Sequence, residues 1–236
     1  MSVRSFSTDS DVRAMPAYTL TEASHYLRVP LPTLRSWVRG RYYPVKRGKR
    51  FFRPVIPAPP DAPHLLSFLN LVEAHVLDAI RRQHEIPLLK VRTAIEFLKR
   101  HFHSDHPLAE ERMETDGSNL FVERYGQLMN ISQDGQLAIR ELIAAHLRRV
   151  EWGTDGLGAR LYPFTRKREL EEPKVVVIDP LVSFGRPVLA KTGIPTAVIA
   201  ERYKAGDSME QLADDYGRER LEIEEAIRCE LTLKAA

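Results

Sequence analysis

The stretch Tyr18–Arg53, YTLTEASHYLRVPLPTLRSWVRGRYYPVKRGKRFFR, decides how the whole 236-residue chain is read. Thr19 or Thr21 stands where a helix needs its N-cap, with Glu22 near the start, and Ala23, Tyr26 and Leu27 recur at helical spacing. Val29-Pro30-Leu31-Pro32 forces a break, because the residue before a proline is pushed out of the helical region. Pro32 then suits the first turn of a second helix. Leu34, Trp37 and Val38 give that helix an inner face and Gly40 ends it. With those three turned inward, Thr33, Ser36 and Arg39 are expected to face outward, with Arg35 at the side. Beyond it, aromatic and β-branched patches flank Arg47-Gly48-Lys49, which predicts a hairpin whose glycine supplies a positive φ.

Charge gives this unit a direction. The chain carries a net charge of +3, yet residues 1–60 alone hold eleven Lys and Arg against three Asp and Glu. Arg41, Lys46, Arg47, Lys49, Arg50 and Arg53 fall within thirteen residues that contain no acid. A local positive field attracts a polyanion. A helix held in the major groove by a preceding helix, with a basic hairpin on the phosphates beside it, is a way to use that field. The expected DNA contacts are therefore Thr33, Arg35, Ser36, Arg39, Arg41, Lys46, Arg47, Lys49, Arg50 and Arg53. A generic basic surface hairpin is the blander alternative.

Outward from this unit, residues 1–15 read as disordered, and 16–60 as the DNA-binding domain. The proline-rich 54–63, PVIPAPPDAP, reads as a semi-rigid spacer. Residues 64–153 read as a middle helical and short-strand region. There, Leu65 to His84 is expected to be one helix with an apolar stripe wide enough to leave a seam for a homodimer, and Val91, Ala94, Ile95 and Leu98 mark another. Residues 105–131 read as short strands and turns, with Asp116-Gly117-Ser118-Asn119 the clearest turn. Leu137 to Val150 is expected to be helical, Gly153 to Gly158 a loop, and the RKRELEE run at 166–172 a boundary. Residues 174–236 read as a strand at Val175–Ile178 followed by three helices near 196–204, 208–216 and 219–231, with Gly206 ending the first and Ser208 and Gln211 capping the second reciprocally. The fold class is mainly α with small β elements: an N-terminal winged helix-turn-helix, a middle dimerisation region and a C-terminal three-helix domain.

Several chemistries find no support. A single cysteine, Cys229, leaves no internal disulfide framework and fits a reducing cytoplasm as a packed thiol. No apolar run approaches the roughly 20 residues that span a bilayer. His101, His103 and His106 cluster with Asp105 at a basic helix end, without a second ligand group, so no metal or other cofactor is expected. Gly153, Gly156 and Gly158 lack the following Lys-Ser/Thr of a phosphate loop. No paired-carboxylate or Ser/His/Asp arrangement points to an enzyme.

Two resemblances sharpen the reading. The segment Thr19–Val55 resembles the winged helix-turn-helix of the MerR family, with Thr33-Leu34-Arg35 opening the recognition helix and Arg53 after the wing; Ser36 stands where that family has a second aromatic. The segment from Val175 is similar to a small uncharacterised domain of VapB-type antitoxins, through Ile178-Asp179-Pro180, Gly185-Arg186-Pro187, Thr192-Gly193-Ile194-Pro195, Gly206-Asp207-Ser208, Leu212-Ala213 and Tyr216. Together they imply an antitoxin that represses its own operon and inhibits a PIN-like ribonuclease toxin encoded beside it. Arg186 and Arg202 are the candidates to enter that toxin's acidic pocket. The C-terminal last helix, rich in glutamate, suits protein contact better than DNA. A ligand-responsive regulator of MerR type with no toxin partner is the rival reading.

Overall fold

Helix starts and stops in the N-terminal unit follow from a few side chains. The computed structural model describes residues 11–45, 48–81, 88–129, 131–166 and 173–231. Strand β1, Tyr18–Thr19, leads into helix α1, Leu20–Leu27. The Thr19 hydroxyl accepts the Glu22 N–H while the Glu22 carboxylate accepts the Thr19 N–H at 2.8 Å. A reciprocal cap of this kind stabilises a helix start by about 1 kcal/mol. Arg28 closes α1 in the left-handed region, and α2, Leu31–Arg39, starts with a proline in its first turn. Gly40 follows at φ +71°, where a Cβ would lie 2.1 Å from the Phe52 carbonyl oxygen, so only glycine fits.

Strands β2, Arg41–Val45, and β3, Gly48–Phe52, pair antiparallel from Arg41↔Phe52 to Val45↔Gly48. Lys46 and Arg47 lie outside the described residues; Gly48 has the expected positive φ, 101°. The proline-rich segment is not a spacer. Val55 and Ile56 are buried, and their N–H groups donate to the Trp37 carbonyl at 2.7 and 3.1 Å. The apolar pair between the prolines packs, and backbone donors hold it there. Strand β4, Leu65–Leu66, then returns to pair with β1.

Helix α3, Phe68–Arg81, starts later than expected because Leu65 and Leu66 belong to that strand, and Ser67 and Asn70 cap each other reciprocally at its start; the expected end at residues 82–84 lies outside the described residues. From Phe68 to Ile80 every side chain but Asp78 is buried. A helix apolar or satisfied on all sides is a core element. The expected dimer seam is therefore filled by this chain's own residues, and Leu69 and Val76 are part of the interior.

Helix α4 spans Leu88–Phe102. Residues 107–113 make two short helical turns, and Asp116–Met129 forms helix α5 where strands and a turn were expected. Asp-Gly-Ser-Asn mimics a turn, but Gly117 is here the tight contact of a helix start: a Cβ would stand 2.8 Å from the Arg112 carbonyl and from Phe102. Phe121, Val122, Tyr125 and Gly126 carry the buried stripe. Helix α6, Gln133–Leu147, precedes strands β5, Val150–Trp152, and β6, Gly158–Leu161, which pair antiparallel.

Strand β7, Val176–Val177, pairs with β8, Val188–Leu189, and Ile178 bridges Leu161 of β6. Helices α7, Thr196–Ala205, α8, Met209–Tyr216, and α9, Arg220–Glu230, complete the described chain, with Gly206 left-handed after α7 and the Ser208–Gln211 capping box at α8. The result is mainly helical with small antiparallel sheets. One apolar cluster runs from Tyr18 through α1 to α6 as far as Ile178, and a smaller one joins Leu189 to α7, α8 and α9. Near the N-terminus, residues 11–15 are ordered rather than loose: Arg13 bridges Asp11 and Asp155. Residues 167–172 of the charged run lie outside the described part.

Candidate nucleic-acid interface

Trp37 is the anchor of the basic unit. Its ring is fully buried beside Leu34 and Val38, and its carbonyl receives the two N–H donors that follow the hairpin, so α2 and the hairpin are tied at one residue. Around this anchor, Arg35, Arg39, Arg41, Lys49, Arg50 and Arg53 are all exposed, and Thr33 is half-buried. Ser36 departs from the expected set. It is 9% exposed, and its hydroxyl is buried without a hydrogen-bond partner, so the chain's own packing covers it. Helical spacing puts residue 36 on the side of α2 opposite Leu34, Trp37 and Val38, so its burial is set by tertiary packing and not by that stripe.

None of the six exposed cations has a carboxylate within ion-pairing distance among the described residues, which leaves their charge available. The one acid between Tyr18 and Pro60 is Glu22, on α1. Its carboxylate is engaged by Thr19 and paired at 2.6 Å with Arg186 of the C-terminal unit. Burial opposes its ionisation, but the Thr19 hydrogen bonds and the Arg186 guanidinium outweigh burial and hold its pKa below the ordinary value. The acid is thus ionised and its charge is met by a cation of the C-terminal unit.

Two further surface residues stand on the hairpin. Tyr42 and Phe51, cross-strand partners, are 69% and 45% exposed with ring centroids 5.0 Å apart. Their β-propensity alone marks them only as strand residues. Strict alternation with buried Phe52 and half-buried Tyr43 was the available signal, since neighbours along a strand point to opposite faces. Lys49 shares their face, so the hairpin offers a cation beside two aromatic rings.

The two arginines expected to meet a toxin are occupied. Arg186 holds Glu22 and approaches the Tyr26 hydroxyl at 3.5 Å. Arg202 pairs with Asp207 at 2.6 Å and Asp215 at 2.5 Å and lies over the Tyr216 ring. Both guanidiniums serve the chain's own packing. His106 is drawn inward to Glu73 at 3.0 Å, away from His101 and His103, which are exposed. Cys229 is buried, and burial pushes its thiol up to about 12, a value that suppresses thiolate chemistry.

The model of the family described as "Putative DNA-binding HTH domain" matches residues 16–95, the segment holding α1, α2, the hairpin and α3. Residues 16–95 carry a helix-turn-helix domain. A second model, "Protein of unknown function (DUF433)", matches residues 176–228. Over 220 residues the chain is 29% identical to "Putative antitoxin VapB45" of Mycobacterium tuberculosis, spanning 86% of this chain and 89% of that protein. It is 26% identical to the uncharacterized protein Rv2308 of the same organism, over 89% and 88% of the two lengths. The crystal structure of Rv2018 from M. tuberculosis superposes with a TM-score of 0.68 at 27% identity, covering 90% of this chain and 98% of that one. Both helix-turn-helix and C-terminal unit therefore recur together in similar proteins. No helix among the described residues is long and apolar enough to cross a membrane.

Proposed function

We propose that this chain is a DNA-binding antitoxin: α2 and the hairpin occupy the operator of its own operon in the manner of a MerR-like wing, and the remainder restrains a PIN-like ribonuclease toxin in the cytoplasm. The observation that carries the DNA half is the contrast in charge pairing. Arg35, Arg39, Arg41, Lys49, Arg50 and Arg53 are exposed without carboxylate partners among the described residues, while the unit's single acid, Glu22, is paired with Arg186. Charge left unneutralised within the fold is charge that a phosphate backbone can satisfy, with release of counterions. The partner half rests on similarity to a protein named as an antitoxin.

The deciding experiment is anisotropy of a labelled fragment from the chain's own promoter, titrated at several salt concentrations. If about four to six phosphates are neutralised, log K falls with log salt at a slope of roughly −4 to −5. A slope near zero, or equal affinity for any acidic polymer without preference for the promoter, removes the operator reading. Co-expression with the adjacent reading frame and a ribonuclease assay test the partner half; an active nuclease in a stable complex refutes inhibition.

A further inference from the structure

One face of the hairpin carries an apolar patch that the fold leaves uncovered. The register sets Tyr42 opposite Phe51 and Pro44 opposite Lys49, and residues opposite one another share a face. All four are exposed. On the other face Phe52 is buried in the core cluster and Tyr43 packs against that cluster. Alternation along the strands therefore turns one face inward and leaves the aromatic one open. The patch is also held in place. The Phe51 ring abuts Gly40 at the end of α2, where a Cβ would stand 2.8 Å from it. Just past the hairpin, the Val55 and Ile56 N–H groups donate to the Trp37 carbonyl. The two rings thus keep a fixed position relative to α2.

The charges around the rings select the occupant. Each ring has an exposed arginine as its chain neighbour, Arg41 before Tyr42 and Arg50 before Phe51, and Lys49 stands on their own face. Arg39 and Arg53 bracket the hairpin, both exposed. Among the described residues no carboxylate from any element lies within ion-pairing distance of these five cations. Of the acids nearest in sequence, Glu22 is paired with Arg186 and Asp61 pairs with none of the five. An apolar centre among unneutralised cations matches the minor groove of a duplex, with its deoxyribose walls and phosphate rims. That groove is about 6 Å wide, too narrow for a strand pair but open to side chains. Proteins that bind it combine basic residues with apolar ones. A hairpin tied to the end of a helix in the major groove can reach the adjacent minor groove, as an arm does beside a recognition helix. The hairpin also falls inside the segment matched by the DNA-binding helix-turn-helix family.

We infer that Tyr42 and Phe51 enter the minor groove beside α2 and pack against its deoxyribose walls, while the neighbouring cations meet the phosphates. This rests on the operator reading and adds to it a contact that carries no charge. The test uses the full chain on a duplex from its own promoter. Tyr42→Ser combined with Phe51→Ser should weaken binding at least about tenfold, a loss equivalent to about 1.4 kcal/mol. The salt slope should keep its wild-type value because no phosphate contact is lost, whereas Lys49→Ala and Arg50→Ala should each flatten it by about 1. Hydroxyl-radical cleavage reads the exposure of deoxyribose. At saturating protein the wild type should shield a minor-groove patch that the double variant leaves open, with the remaining footprint intact. Tyr42→Ser alone, at the more exposed ring, should lose less affinity and melt as the wild type does. Tyr42→Phe, which keeps the ring, should bind within about twofold of the wild type.

Equal promoter affinity of the wild type and the double variant overturns this contact and leaves the operator reading standing. An unchanged footprint overturns it too, as does a flattened salt slope in the double variant, which would mean that phosphate contacts were lost instead. A lower melting temperature in Tyr42→Ser would mark the ring as structural and has the same consequence. Promoter affinity kept while capture of the adjacent frame's product is lost, or while light scattering shows a fall from dimer to monomer, would give the patch to a protein and refute the inference. If the wild type itself does not bind the promoter, the operator reading fails and takes this contact with it.

Discussion

The arginines of the C-terminal unit and those around α2 and the hairpin are used in opposite ways. In the C-terminal unit, Arg186, Arg202, Arg218, Arg220 and Arg228 each face a carboxylate: Glu22, Asp207 with Asp215, Glu222, Glu210 and Glu224. At the other end, Arg35, Arg39, Arg41, Arg50 and Arg53 face none among the described residues. Such exposed pairs add little to stability, but a paired cation no longer attracts a distant polyanion. Function in such a chain is to be sought where charges are left without partners, and arginine count alone is a poor guide to it.

The sharpest way to break this contrast is charge reversal. Arg39→Glu, Lys49→Glu and Arg50→Glu combined should weaken promoter binding by at least about a hundredfold and flatten the salt slope by about 3, with an unchanged melting curve, since three phosphate contacts are lost and none of the three side chains supports the fold. An equal loss from Arg202→Glu would erase the distinction. Next in size is Glu225→Ala. Glu225 is wholly buried, accepts the Thr165 hydroxyl and is paired with Arg166 at 2.6 Å. Its removal should cost roughly 1–3 kcal/mol in urea unfolding and leave promoter affinity at 25 °C within about twofold.

A smaller effect is expected from Arg186→Ala, at under about 1 kcal/mol because the pair is partly solvent-exposed. Freed of its partner, Glu22 then adds one negative charge behind α2, so promoter affinity should drop by about two- to threefold at low salt and recover at high salt. The least effect concerns pH. Burial lowers the His106 pKa, but the hydrogen bond and charge of Glu73 outweigh burial, Lys99 opposing and Asp105 assisting, so the folded value lies above 6.5. A raised histidine pKa stabilises fully below the unfolded value and the gain fades as pH rises through the folded one. Unfolding free energy measured from pH 6 to 8 should fall slightly, and His106→Gln should remove that fall while promoter binding stays put.

Legibility in sequence followed the locality of the signal. The α1–α2 break, Gly40, the positive φ of Gly48 and the three C-terminal helices with the Gly206 and Ser208 caps rest on proline, glycine and capping residues a few positions apart. What could not be read was decided by distant partners. Ser36 is buried although helical spacing turns it away from the apolar stripe, Leu65–Leu66 became a strand because β1 lay open beside it, and Gly117 is a contact residue only because Phe102 and Arg112 meet it. In the candidate interface, the cationic residues were evident from composition. That Glu22 is silenced by Arg186, and that Arg202 is consumed locally, needed the tertiary pairing.

The burial of α3 on every side has a consequence for how such a protein can be taken apart. Because its residues belong to the same apolar cluster as Trp37 and Leu34, the reading head owns no private interior. Calorimetry should record the head and the middle helices melting as one heat-absorption peak, and limited proteolysis should release no intact head. Any new specificity grafted onto this scaffold would have to come by altering its outer residues, since the head cannot be swapped out like a cartridge.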